Sequence, residues 1–138
     1  MVQIKIKKLH PDAIIPKYAK AGDAGMDVFA VSKKESYDFI EYGTGLSFEV
    51  PEQYVMLIFS RSSVSNKSLS LCNSVGVLDS GYRGELKLRF YKHKREDYQI
   101  GEKIGQIIIL PYPNIQFEEV SELSETLRGD GGFGSTGK

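Results

Sequence analysis

Polar residues that could bind an anion or move a proton are concentrated in five clusters: 24–30, 60–67, 73–85, 101–110 and 128–138. The last cluster holds five of the chain's fourteen glycines and cannot contribute to a core. Glycine at this density exposes backbone amides on a mobile chain. Its remaining side chains are therefore predicted to close over a flat, charged ligand, namely Arg128, Phe133, Ser135 and Thr136. The alternative is an unstructured chain end, which is common.

The cluster at residues 60–67 combines one arginine with several serines. Arg61 precedes Ser62 and Ser63 at the start of a predicted short helix. A planar guanidinium beside hydroxyl groups and free backbone amides suits phosphate oxygens. Serine is also common at helix starts, so capping is the alternative role.

Residues 73–85 contain the most specific pattern of the chain. The apolar residues 77–78 predict a strand, residues 79–81 predict the tip of a hairpin, and Tyr82 is expected to return beside that strand. The resulting slot would offer backbone groups to the edge of a base and an aromatic ring to a sugar. Asp79 would lie at its rim, where a carboxylate can take a proton from water. Alternatively, Asp79 is an ordinary turn residue.

Two further polar residues lie inside apolar segments. Asp27 would lose solvation there, so it should pair with a cation, backbone amides or metal-bound water, or else cap a neighbouring loop. Gln106 interrupts an aliphatic strand and should hydrogen-bond either core backbone or a ligand.

Short segments with alternating apolar and polar residues indicate strands with one buried face. They cover residues 2–7, 27–31, 38–42, 46–50, 54–59, 69–71, 85–90, 103–110 and 115–120. Glycine and proline turns separate them, and short helices are predicted only at 60–67 and 121–127. The pattern is typical of an all-β, single-domain fold, a jelly-roll-like sandwich or barrel.

The composition argues against several classes of function. With 138 residues and 15.4 kDa the chain should form one domain. Eighteen basic and eighteen acidic residues cancel, so no positive field would hold nucleic acid. The apolar runs are too short to span a membrane, and a lone cysteine, Cys72, predicts a cytoplasmic protein. One cysteine and two histidines, His10 and His93, are too few for a dedicated transition-metal site, so any metal should be a hard ion bound through oxygens.

The five clusters, in this order and at this spacing, resemble the trimeric dUTP diphosphatase family over residues 24–137. The resemblance implies a magnesium-dependent enzyme whose small-molecule substrate, dUTP, is hydrolysed to dUMP and pyrophosphate. It also implies a jelly-roll subunit that assembles as a homotrimer, with three active sites that each draw on all three chains. Residues 1–127 would form the β domain and residues 128–138 a flexible lid that completes the active site.

The resemblance also implies roles for single residues. Asp79 is similar to the family's general base, which orients and deprotonates the water that attacks the α-phosphorus. Tyr82 would pack beneath the deoxyribose and exclude a 2′-hydroxyl, and Asp27 would organise water near a magnesium ion held mainly by the substrate phosphates. Uracil would be read by Asn73 and the backbone of Gly76, Val77 and Leu78, and Lys87 is a further candidate for the base pocket. The phosphates would be bound by Arg61, Ser62, Ser63, Gln106, Arg128, Gly134, Ser135 and Thr136, and Phe133 would stack on the base.

Three positions depart from the family's usual residues, namely Met26, Ser60 and Gly105. None removes a reactive group. Glycine is conformationally permissive, so Gly105 is expected to loosen the strand that carries Gln106.

Two other functions share parts of the pattern. dCTP deaminase has a similar fold and hairpin, but its catalytic glutamate would fall at Arg89, and a cation cannot do that work. A phage-like regulatory member would bind another protein, usually through an inserted surface segment. The charged stretch 91–98 is instead predicted to be a solvated hairpin end, which leaves a regulatory partner as an open alternative.

Overall fold

The fold is built almost entirely from short antiparallel strands. The computed structural model describes residues 1–93 and 96–137. Lys94 and Arg95, in the predicted charged loop, and Lys138, in the predicted lid, lie outside the described residues.

The regular elements follow the predicted order of short strands. The strands are β1 (Lys5–Lys8), β2 (Met26–Phe29), β3 (Ser32–Glu35), β4 (Phe39–Gly43), β5 (Leu46–Glu49), β6 (Tyr54–Phe59), β7 (Leu69–Leu71), β8 (Gly76–Leu78), β9 (Lys87–Lys92) and β10 (Lys103–Pro111). A short 3-10 helix, Ser62–Lys67, follows β6. No helix in this described part of the chain is long and apolar enough to cross a membrane.

The strands form two four-stranded sheets and a small two-stranded sheet. The first large sheet has the order β2-β10-β6-β8, the second has the order β3-β4-β9-β7, and β1 pairs with β5. Strand residues alternate between faces, so Leu88 and Phe90 of β9 are buried between exposed neighbours. Phe90 packs edge-to-face against Tyr42 and Tyr98, with ring centroids 5.9 Å and 5.7 Å away. The predicted all-β fold is confirmed.

Strand β3 is the element that the sequence pattern does not indicate. Its residues, Ser32–Glu35, are all polar and mostly exposed, because β3 lies at the edge of the second sheet. An edge strand with no apolar face has no period-two signal. The other strands up to residue 111 lie close to their predicted positions.

The predicted strand at 115–120 and the predicted helix at 121–127 are wrong. Residues 112–127 adopt neither helix nor strand, and all of them are exposed. Phe117, an apolar residue of the alternating pattern, is 94% exposed. Alternation produces a strand only where another strand pairs with it and covers its apolar face. Within the described residues of the single chain, this segment has no such neighbour.

The predicted hairpin at 79–81 is wrong in its pairing. A turn is present, and the Tyr82 amide donates to the Asp79 carbonyl at 3.1 Å. However, β8 pairs with β6, whereas β9 pairs with β4 and β7, so the turn connects two different sheets. Because β8 is an edge strand, the backbone groups on its outer side are left free by sheet pairing.

Candidate active site

Three of the predicted clusters meet at one end of the first large sheet. The strand register places Asp27 of β2 opposite Gln106 of β10, and Gln106 opposite Phe59 of β6. Side chains directly opposite each other on adjacent strands share a face of the sheet. Arg61 lies just beyond β6, so polar residues of the first, second and fourth clusters are brought together.

Asp27 is the centre of an ion-pair network that fixes Arg61. Its Oδ1 accepts a hydrogen bond from Arg61 Nε at 3.0 Å, and its Oδ2 lies 3.0 Å from Lys103 Nζ. Arg61 Nη1 also donates to Ser63 Oγ at 3.3 Å. The Asp27 side chain is only 25% exposed, and two cations offset its partial loss of solvation. Ser62, the first residue of the 3-10 helix, is exposed beside this network.

Gln106 is tied to the same end of the sheet through the backbone of the second cluster. Its Nε2 donates to the carbonyl oxygen of Ser60 at 3.1 Å. Gly25 makes room for the amide, because a Cβ at that position would lie 2.5 Å from Gln106 Oε1. The backbone contact is the structural one of the two predicted roles, and ligand binding by Gln106 stays a prediction.

Gly105 has a packing role that the sequence does not indicate. It is buried, and a Cβ there would lie 2.5 Å from Leu88 Cδ2 and 2.9 Å from the carbonyl oxygen of Phe59. Glycine therefore allows β10 to approach its neighbours closely. The expected loosening of the strand stays a prediction.

A cavity of about 490 Å3 opens beside the edge strand β8. Its lining includes the residues predicted to contact the base and the sugar, namely Asn73, Gly76, Val77, Leu78, Tyr82 and Lys87. Because the outer side of β8 carries free backbone amides and carbonyls, it can hydrogen-bond the edge of a planar ligand. The cavity thus has the wall that the third cluster predicts, although that wall comes from an edge strand and not from a hairpin.

Tyr82 is held at the mouth of this cavity by contacts on three sides. Its amide closes the turn onto Asp79, and its hydroxyl donates to the carbonyl oxygen of Glu85 at 2.9 Å. Its ring lies over Gly84, where a Cβ would come 2.6 Å from Tyr82 Cζ. Asp79 directly follows β8 and is exposed, so its carboxylate is accessible to water at the end of the edge strand.

The cavity lining also includes charged residues, of which only Lys87 is predicted from the sequence. Glu41 of β4 accepts a hydrogen bond from Arg89 Nε at 2.7 Å and lies 3.4 Å from Lys87 Nζ. The Arg89 hydrogen bond holds the pKa of the Glu41 carboxyl below its usual 4.5; burial opposes this shift, and Lys87 adds to it. Strand pairing between β4 and β9 brings these charged residues together, and no local motif signals that pairing.

The tail residues are not brought to the cavity within the single chain. Arg128 Nε donates to the carbonyl oxygen of Gly131 at 3.0 Å, and the Ser135 amide donates to Gly132 at 3.0 Å. Phe133 is fully exposed, with a positive φ of 52°. Gly134 also has a positive φ, and Thr136 is exposed.

The described residues contain no group of three or more His, Cys, Asp or Glu side chains that could hold a metal ion. Asp27, the predicted residue near magnesium, has both carboxylate oxygens engaged by Arg61 and Lys103. This donor set does not fit direct ligation of Mg2+, which prefers several oxygen ligands in an octahedral arrangement.

Comparison with known proteins decides the family. A family model described as dUTPase matches residues 11–137. The chain belongs to the dUTPase family. Similar proteins include the deoxyuridine 5'-triphosphate nucleotidohydrolase of Clostridium acetobutylicum, which is 42% identical over 142 residues and covers 99% of this chain and 98% of the relative. The protein of the same name from Clostridioides difficile is 41% identical over 144 residues and covers 99% of each chain.

Solved dUTPase structures have the same fold. The Staphylococcus bacteriophage 80alpha dUTPase with dUPNHPP has a TM-score of 0.85 at 27% identity, and the match covers 100% of both chains. A mutant dUTPase from phage phi11 of S. aureus, which coordinates a structural Mg(II) ion, has a TM-score of 0.74 at 24% identity over 88% of this chain and 98% of that one. At 24% identity, the comparison with the phage phi11 protein supports similarity of fold alone. The predicted family and the jelly-roll-like fold class are confirmed.

Proposed function

We propose that this dUTPase-family chain hydrolyses dUTP to dUMP and pyrophosphate, with Asp79 as the general base. The observation that carries the proposal is the arrangement around β8, where Tyr82 and a free strand edge line one cavity and the exposed Asp79 directly follows that strand. Relatives that are 42% and 41% identical over 99% of this chain bear the name of this activity.

The cavity beside β8 supports recognition of the nucleoside. A uracil would hydrogen-bond the backbone of Gly76–Leu78 and the side chain of Asn73, and a mismatched base would leave buried groups unpaired. The ring of Tyr82 would pack against the deoxyribose. Because the turn and the hydrogen bond to Glu85 restrain that ring, a 2′-hydroxyl would clash with it. Lys87, paired with Glu41, would add a positive charge to the pocket.

The network at the end of the first large sheet supports binding of the phosphates. Arg61, Ser62, Ser63 and Gln106 would donate hydrogen bonds to the phosphate oxygens. Asp27 would keep Arg61 oriented and would order water beside the magnesium. Magnesium would arrive as the complex of the triphosphate, whose oxygens are the hard ligands that this ion prefers. When bound, it neutralises charge that develops on the phosphates.

The reaction requires one proton acceptor and an aligned water. Asp79 would accept a proton from water while the water oxygen forms a bond to the α-phosphorus. The bond from the α-phosphorus to the oxygen shared with the β-phosphate breaks, and that oxygen leaves with pyrophosphate. Positioning and charge neutralisation supply most of the rate in such transfers, so one carboxylate suffices as the base.

Exposed apolar surface supports assembly as a homotrimer with shared sites. The outer face of the first large sheet carries Leu57, Phe59 and Ile108, which are only partly buried, and Val77, which is 63% exposed. The segment 112–127 adds further exposed apolar residues, namely Ile115, Phe117, Val120, Leu123 and Leu127. Large exposed apolar patches mark interaction surfaces, so these residues are candidates for such a surface. Neighbouring chains would cover it, and residues 128–138 would serve as a lid over a site to which other chains also contribute.

A pyrophosphate-release assay across the nucleoside triphosphates tests the function. Purified protein with Mg2+ should release pyrophosphate from dUTP, whereas dCTP, dTTP and UTP should be poor substrates. Sedimentation in the same buffer should give the mass of a trimer of the 15.4 kDa chain. Folded trimer that releases no pyrophosphate from dUTP would falsify the proposal.

A further inference from the structure

Arg83 folds back onto the turn that carries Asp79 and Tyr82. Its Nη1 donates to the carbonyl oxygen of Ser80 at 2.6 Å and to that of Tyr82 at 3.1 Å. The guanidinium therefore bridges two peptide units of the turn. Charged donors form stronger hydrogen bonds than neutral ones, so this contact adds to the restraint from the turn's own backbone hydrogen bond.

The other nitrogen of the same guanidinium ties the turn to a different part of the fold. Arg83 Nη2 donates to Glu49 Oε1 at 3.3 Å, and Glu49 Oε2 accepts from Lys5 Nζ at 2.8 Å. Glu49 ends β5 and lies opposite Lys5 of β1. An exposed ion pair contributes little stability by itself. Here, however, the planar and rigid guanidinium of Arg83 connects the turn to β5.

The tip of the turn faces open space on the side of β5. Ser80, Gly81 and Arg83 line a second cavity of about 420 Å3, whose other walls include Lys5 and Glu49. A Cβ at Gly81 would have no atom within 4 Å. Hydrogen bonds at Glu85 and Leu86 tie the far end of this segment to Gly45 and β5, and the Arg83–Glu49 pair adds a polar bridge to β5 at the turn itself.

We propose that Arg83 is a positioning residue for the reaction, one that fixes Asp79 and Tyr82 relative to each other and to β5. The inference rests on the proposed function, because it concerns the alignment of the proposed base and sugar wall. In this proposal Arg83 acts through its contacts with the turn and with Glu49, and not directly on the substrate. A displacement of about 1 Å in a catalytic group can cost roughly 10²-fold in rate, so a loosened turn has a measurable consequence.

The inference predicts two coupled effects in Arg83→Met. The kcat for dUTP should fall about 10-fold or more, because Asp79 no longer aligns the water. Discrimination against UTP, measured as the ratio of kcat/KM values, should fall several-fold, because the Tyr82 ring can retreat from a 2′-hydroxyl. Arg83→Lys keeps the charge but not the fork, so it should restore only part of either quantity.

The experiment measures kcat, KM and melting temperature for wild type, Arg83→Met, Arg83→Lys and Glu49→Gln, with both dUTP and UTP. Glu49→Gln weakens the anchor and keeps the carbonyl contacts, so it should show a smaller loss of the same two quantities. Lys7→Met is the matched control, because Lys7 is exposed on the same strand as Lys5 and should leave both quantities unchanged.

The outcomes separate this inference from the proposed function. If wild type releases no pyrophosphate from dUTP, the proposed function fails. If wild type is active and Arg83→Met matches it in kcat and in discrimination, only the role of Arg83 is overturned. A loss of kcat with unchanged discrimination, in proportion to a lower fraction of folded protein, would also overturn it, since that result describes a purely structural residue.

Discussion

The turn at residues 79–84 and the tail at residues 128–137 both carry proposed site residues on a glycine-rich backbone, but they are held differently. In the turn, the side chains of Tyr82 and Arg83 hydrogen-bond backbone carbonyls at 2.6–3.1 Å. In the tail, the described hydrogen bonds stay within residues 126–137, and Phe133 is fully exposed. Arg83 also ties the turn to Glu49 of β5, whereas the described bonds of the tail are all internal. In the proposed function the turn is therefore preset, and a nucleotide or a neighbouring chain would fix the tail.

The largest expected effect comes from the preset turn. Asp79→Asn should retain binding of a non-hydrolysable dUTP analogue and should lose roughly 10²-fold or more in kcat, because an amide cannot accept the proton from water. Steady-state kinetics and calorimetric titration of the analogue give the two quantities. Normal turnover by this variant would show that Asp79 is only a turn residue.

Removal of residues 128–138 tests whether the tail is needed for activity and not for folding. The tail adds nothing to the buried core, so the melting temperature without nucleotide should stay within the error of the wild-type value. Hydrolysis should fall by an order of magnitude or more, because the site can no longer close. Lys7→Met, at an exposed position of β1, is the control and should leave both quantities unchanged. A large drop in melting temperature would mean that the tail is structural.

A pair of glycines in the turn offers a sharper test with a built-in control. Gly84→Ala would place a methyl group 2.6 Å from Tyr82 Cζ and push the ring from its position, so discrimination of dUTP from UTP should fall roughly 10-fold. Gly81→Ala meets no atom within 4 Å and should leave discrimination unchanged. Equal behaviour of the two variants would contradict a preset Tyr82 wall.

The smallest expected effect concerns pH and the charged residues of the cavity lining. The hydrogen bond from Arg89 lowers the pKa of the Glu41 carboxyl in the folded protein below its ordinary 4.5. As pH falls, this carboxyl is therefore protonated at a higher pH in the unfolded chain than in the folded protein. The stabilisation is complete above about pH 4.5 and is lost as pH falls through the lower folded-state value. Glu41→Gln should therefore show a shallower loss of melting temperature below pH 4.5. Glu118→Gln, in the exposed segment, should follow the wild-type curve.

Local sequence patterns predicted most of the strands and placed the site candidates on them. β6 and β10 are long aliphatic runs, and Asp27 and Gln106 stand out within apolar strands because their burial requires partners. The strand wall, the turn and the aromatic ring of the third cluster could be predicted, because the residues that form a turn are adjacent in the sequence.

The features that the sequence could not predict depend on contacts between residues that are far apart in the chain. Glu41 reaches the cavity because β4 pairs with β9, and Arg83 reaches Glu49 across a turn that joins two sheets. The alternating pattern at 115–120 indicates a strand correctly only if a partner strand is present, and the described residues of this chain do not supply one. The spacing of apolar residues indicates which face of a strand is buried, but it does not indicate which other element packs against that face.

The short edge strand β8 has a consequence for solubility as well as for binding. A free strand edge can recruit strands from other molecules and so initiate aggregation. β8 is three residues long and is followed at once by the turn at Asp79, so it offers too few backbone groups to hold a foreign strand. In the proposed function the same short edge pairs with a nucleobase, so one feature would limit aggregation and bind the ligand.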